Sequence, residues 1–73
     1  MLPNHEWRWL HSDSEAFLHW RFACMASLRE RDGFVDVRIK RRRRPAVVGR
    51  ALGIESGKRH VERWLEAHGW IVF

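Results

Sequence analysis

The stretch from Arg38 to Pro45 reads RIKRRRRP, and its five successive cations, Lys40, Arg41, Arg42, Arg43 and Arg44, form the densest charge in the chain. Four of the five are arginine. A guanidinium forks onto phosphate or carboxylate and stacks on bases, whereas lysine would solubilise as well without that geometry. The chemistry on offer is therefore recognition of an anion. Three readings compete: a solvated cationic loop, salt-dependent contact with nucleic-acid phosphates, and docking onto an acidic protein surface. A run held between an apolar alternating segment and a proline is not a loose tail, so the charged docking surface ranks first.

Other residues that could do chemistry do not assemble. Gly53 to Arg59, GIESGKR, imitates a phosphate-binding loop but is one residue short and has no Ser or Thr after its lysine. His5, His11, His19, His60 and His68 are scattered, and with the single Cys24 they show no zinc spacing. No nucleophile is paired with a base. The expectation is a non-enzyme without metal or cofactor. Cys24, between Ala23 and Met25, reads as a buried, inert thiol in a reducing compartment.

Size and composition bound the rest. A chain of 73 residues is expected to be one domain, 1–73, with a marginal core. Apolar residues make up 45%, five of them tryptophan, which argues against wholesale disorder. Lys and Arg number 14 against 9 Asp and Glu, a formal charge of +5 that attracts polyanions. No apolar run approaches the ~20 residues of a membrane span. Met1 to Glu6 shows no secretion signal. A monomer in the cytoplasm is expected.

The elements that must position the cations follow from periodicity. Glu6 to His11, EWRWLH, alternates tryptophan with charge and suits a short strand or a frayed end. Ser12 and Glu15 have the spacing of a capping box. Ser14 to Arg31 contains no Gly or Pro, and Phe17, Cys24, Met25 and Leu28 recur at helical spacing, so a helix is expected there, with Arg21 snorkelling from its apolar stripe. Asp32-Gly33 would end it. Val35, Val37 and Ile39 alternate with Asp36 and Arg38, the clearest strand in the chain. Pro45 then opens a short helix, Ala46 to Gly53. A last helix runs from Gly57 to Gly69, with Val61, Trp64, Leu65 and the structural His68 on its inner face. Trp70 to Phe73 reads as a terminal strand or docking tail. Residues 1–13 and 70–73 are read as flexible or partner-docking ends. The expected core is Phe17, Leu18, Leu28, Val37, Leu52, Val61, Trp64 and Leu65.

The segment VVGRALGIESGKRHVERWL looks like a helix-turn-helix: Gly49 and Ala51 permit a close crossing, Leu52 and Ile54 plug the angle, and Gly53 turns the chain. The expected fold class is α+β and mainly helical, a helix-turn-helix-like domain of three helices with a minor short-stranded sheet. Lys58, Arg59 and Arg63 would then touch nucleic acid. Glu62 and Glu66 on the same helix oppose the phosphate field, so specific duplex reading stays an alternative, in the manner of a repressor or excisionase.

With its NHEWRWLH opening, its arginine run and its length, the chain resembles the small RNA-polymerase-binding transcription regulators of Xanthomonas bacteriophage. The resemblance implies binding to the large subunits of host bacterial RNA polymerase in the host cytoplasm, inhibition of promoter-dependent initiation with σ factor displacement or remodelling, and antitermination. Trp7, Trp9 and Lys40 to Arg44 are the residues expected to meet that partner, because Trp and Arg dominate interface hot spots; the alternative for the terminal tryptophans is that they close the core from its two ends. Nucleic acid contact is expected to be non-specific.

Overall fold

In the computed structural model, which describes residues 2–70, five strands precede one helix. They are β1 (Trp7–His11), β2 (Glu15–Trp20), β3 (Ala23–Arg31), β4 (Phe34–Arg41), β5 (Arg44–Ala51) and α1 (Ile54–Ala67). The strands form one antiparallel sheet in the order β1-β2-β3-β4-β5, a meander in which every neighbour in sequence is a neighbour in space.

This corrects the expected mainly helical, three-helix class. The expected helix over Ser14 to Arg31 is the β2–β3 hairpin. Ala16, Leu18 and Trp20 alternate with Phe17 and His19, and Ala26 and Leu28 alternate with Ser27 and Arg29. Each set of a strand shares one face of the sheet. The same apolar residues also satisfy helical spacing, and no glycine marks the turn. Arg21 makes it instead, at φ 57, in a left-handed region that L-residues seldom enter. The expected Ala46 to Gly53 helix is strand β5, so there is no helix-turn-helix. Val47, Gly49 and Ala51 pair with Ile39, Val37 and Val35. Pro45 is tolerated because β5 lies at a sheet edge, where a missing ladder donor costs little.

Three expected elements do form: the short strand within Glu6 to His11 is β1, the alternating strand is β4, and the last helix is α1, which begins at Ile54 rather than Gly57 and so takes in the residues expected to turn the chain. The alternation of β4 places Val35, Val37 and Ile39 on the buried face. Helix α1 presents Gly57, Val61 and Leu65 to the sheet, one residue per four along a single stripe. Gly53 leads into it with extended backbone, and its N–H donates to the Ser56 hydroxyl at 3.0 Å. At the far end Gly69 adopts φ 70, and the N–H groups of Gly69 and Trp70 donate to the carbonyls of Glu66 and Leu65. That is the crossed pair of bonds with which a left-handed glycine closes a helix.

The core lies between α1 and one face of the sheet. Leu18, Leu28, Val37, Val61 and Leu65 are buried, joined by Ala16, Ala26, Val35 and Ile39. Three expected core positions differ: Leu52 is 92% exposed, and Phe17 and Trp64 are half-buried. Gly57 lies close against Leu28, whose terminal carbons would be 3.1 Å from an added Cβ. Cys24, expected to be buried, is exposed.

A five-stranded sheet is about 19 Å across at ~4.8 Å per strand, while a helix is only about 10–12 Å wide with its side chains. Helix α1 contacts β3, β4 and β5. Tryptophans cover much of the remainder. Trp7 stacks on Trp20 at 5.9 Å and meets Trp70 edge-on at 4.9 Å, and Trp9 packs beside them against the core. The tryptophan-rich composition is thus a consequence of one helix covering too wide a sheet. Among the described residues no helix is long and apolar enough to cross a membrane. The radius of gyration, 11.4 Å, matches the ~11 Å of a folded chain this long. The expected terminal strand or tail falls on Trp70, which packs against the core, and on 71–73, which lie outside the described residues.

Candidate partner interface

The arginine run is the tip of the β4–β5 hairpin. Arg41 pairs with Arg44, leaving Arg42 and Arg43 as the two turn residues. Arg43 holds φ 56, a conformation that glycine or asparagine would adopt at less cost. The Arg41 Nε–H donates to the Pro45 carbonyl at 2.8 Å, which directs that guanidinium back along β5. Among the described residues, Lys40 and Arg41 to Arg44 make no ion pair.

Antiparallel register brings a second turn to the same end of the sheet. Because Ala26 pairs with Ile39, the β2–β3 turn lies next to the β4–β5 turn. That neighbouring turn carries Arg21 and Phe22, and Phe22 is 101% exposed. Trp20, Ala23 and Met25 share a concavity with Lys40, Arg41, Arg42 and Arg43. Arg21 is tied to this end by a 2.6 Å ion pair with Glu6, and its guanidinium lies 4.8 Å from the Trp20 ring centroid. Arg21 therefore does not snorkel from a helix; it is a turn residue. Phe22 was not among the residues singled out from the sequence. Its signal was weak, because recognising it as a turn tip required knowing that 14–31 is a hairpin.

The two tryptophans expected to meet a partner are otherwise employed. Trp7 is 4% exposed and belongs to the core. Trp9 is half-buried, and its indole N–H donates to a Glu62 carboxylate oxygen at 2.8 Å. Burial pushes the Glu62 carboxyl up, but hydrogen bonding and positive charge, Trp9 and Lys58 among them, outweigh it and hold the group below its ordinary value of 4.5. Trp7 is therefore buried behind Trp20, the ring that shares the concavity with Lys40 to Arg43, and Trp9 is turned toward α1.

Lys58, Arg59 and Arg63 lie on α1. Lys58 sits 3.3 Å from Glu55 and 5.7 Å from the Trp9 ring centroid. Arg59 and Arg63 line a hollow with Arg50 and His60 beside the β5 edge. This surface is distinct from the hairpin tip. His68 stacks on Trp64 at 3.8 Å, with its Nδ1 2.8 Å from the Trp64 carbonyl. Among the described residues no cluster of His, Cys, Asp and Glu could hold a metal ion.

Together these features define a small β-meander with one covering helix and a cationic, aromatic-tipped end. Comparison with protein-family models, curated proteins and solved structures gives no match.

Proposed function

We propose that this chain is a non-catalytic docking module, which uses the cationic end of its sheet to bind an acidic protein surface. The observation that carries this reading is the juxtaposition of a fully exposed Phe22 with the Lys40 to Arg44 hairpin, whose cations make no ion pair among the described residues. An aromatic anchor beside arginines is the composition of a binding hot spot. Two arginines, Arg21 and Arg43, occupy left-handed turn positions; retention of costly backbone there is accounted for by a task that needs the side chains. Two-residue turns present the guanidinium groups with less freedom than a tail, so binding orders less chain.

The resemblance to phage transcription regulators selects the partner: the large subunits of host RNA polymerase, in the bacterial cytoplasm. Occupation of that surface would block promoter-dependent initiation, with the σ factor displaced or remodelled, and would favour antitermination. The test is a titration of purified bacterial RNA polymerase with the wild-type chain, Phe22→Ala, and the triple variant Arg41→Ala, Arg42→Ala, Arg43→Ala, at two ionic strengths. Phe22→Ala should cost about 1–2 kcal/mol of affinity. The triple variant should lose more affinity at low salt than at high salt. Absence of wild-type binding at low salt rejects polymerase as the partner. Unchanged affinity in both variants, with the fold intact by NMR, rejects this end as the contact.

A further inference from the structure

One face of the sheet carries α1 and the tryptophans. Among the described residues no element covers the opposite face, and its side chains follow from register. One row crosses all five strands: Leu10, Phe17, Ser27, Arg38 and Val48, each paired with the next. A second row crosses four: Glu15, Arg29, Asp36 and Arg50. The face also carries Arg8 and His19, a register pair, and Lys40 and Arg31. Six cations, Arg8, Arg29, Arg31, Arg38, Lys40 and Arg50, stand against two carboxylates, Glu15 and Asp36, a surplus of four.

The two acids do not quench the face; they order it. Arg29 pairs with Glu15 at 2.8 Å and Arg31 with Asp36 at 2.7 Å, while the Arg50 guanidinium lies 4.5 Å from the Phe34 ring centroid. Arg8, Arg38 and Lys40 make no ion pair among the described residues. The small residues Ser27, Cys24 and Ala46 lower the middle of the face. Two adjoining hollows of ≈ 300 and ≈ 320 Å³ meet there and share Ser27 and Arg38. Phe17 lines one, and Val48, 69% exposed, stands at its side.

We infer that this open face binds single-stranded nucleic acid, with a base against Phe17 and phosphates at Arg38, Lys40 and Arg8. Single strands are held by cations that track the phosphates and by aromatic side chains that stack on splayed bases, and an open antiparallel sheet is a recurrent platform for this. A duplex is the wrong shape. Its major groove, ≈ 12 Å wide, admits a helix or a two-stranded ribbon, and this sheet is about 19 Å across. A second copy of the chain is disfavoured, because face-to-face pairing would set a surplus of like charge against itself. Lys40 borders both this face and the cationic end, but Phe17, Arg38 and Arg8 lie apart from the Phe22 and Arg42–Arg43 turn tips, so the inference stands without the polymerase reading.

The test uses the whole chain and labelled oligouridine, oligothymidine and duplex DNA, each about a dozen nucleotides long, within the reach of one module. Single strands should bind at least tenfold more tightly than duplex, and amide shifts should follow Leu10, Phe17, Ser27, Arg38 and Val48. The oligouridine and oligothymidine arms decide between RNA and DNA. Phe17→Leu keeps an apolar side chain but removes the ring, and should weaken binding about fivefold or more. Arg38→Ala with Lys40→Ala should lower affinity and reduce the salt slope by about 1.4, at ~0.7 per phosphate contact. The inference is overturned by equal affinity for duplex, by shifts confined to Arg42 and Arg43 or to Arg59 and Arg63, or by a Phe17→Leu variant that binds like wild type. Failure of every strand to bind at low salt also overturns it.

Discussion

The contact between Trp9 and Glu62 tests the whole architecture, because it joins the first strand to the helix across 53 positions of sequence. A mainly helical arrangement has no reason to form it. Trp9→Phe keeps a ring against the core but removes the indole donor, and Glu62→Gln removes the charge. A hydrogen bond to a charged group contributes about 1.5–3 kcal/mol when protected. This carboxylate is only partly buried, so screening reduces the expected coupling to roughly 0.5–1.5 kcal/mol. In a domain of this size that corresponds to about 2–12 °C in melting temperature. The sign with pH is set by the depressed Glu62 carboxyl. Its stabilisation is complete above the unfolded value, near 4.5, and is lost as pH falls through the lower folded value. A double-mutant cycle, by thermal melts of wild type, both single variants and the double variant, should therefore show coupling at neutral pH that fades in acid. Zero coupling at neutral pH, or coupling that grows on acidification, would refute the placement of β1 beside α1.

Three further outcomes follow from the packing. Leu65→Ala deletes a fully buried side chain at the centre of the helix–sheet contact and should cost about 2–5 kcal/mol. For a domain with roughly 5 kcal/mol of stability, amide dispersion in NMR should be greatly reduced. Gly57→Val places a branched side chain where even a Cβ would stand 3.1 Å from Leu28; overpacking of about 1–3 kcal/mol should appear as a lower denaturant midpoint. Arg43→Gly removes the Cβ at φ 56 and should stabilise by about 1 kcal/mol, whereas Arg42→Gly, at the adjacent turn position without positive φ, should not raise the melting temperature.

The amino-acid sequence by itself determined the charge surplus, the single thiol, the strand β4 and the helix α1. Val35, Val37 and Ile39 alternate too regularly to be helical, and Val61 and Leu65 before Gly69 mark a helix and its stop. These signals are local: each element's own residues carry the period that places them. Val37, Val61 and Leu65 were legible as core for the same reason, whereas Leu18 and Leu28 were read as core on a helix where the β2–β3 hairpin stands. The arginine run was legible as a held, charged surface, but not as a hairpin tip.

Only the tertiary structure decided the rest. Phe17, Cys24, Met25 and Leu28 fit a helix as well as two strands, and pairing with β1 and β4 is what selects the strands. Local propensity cannot register that pairing, since its energy comes from partners distant in sequence. The hairpins were hidden because arginine stands at Arg21 and Arg43 where turn chemistry leads one to expect glycine or asparagine. Once β2 and β3 are strands, Trp7 and Trp20 fall on the helix side and become core, Phe22 becomes an exposed tip, and Phe17 turns to the open face. Which aromatic is buried and which is offered to a partner is a property of the sheet's two faces. Those faces exist only after the register of all five strands is set.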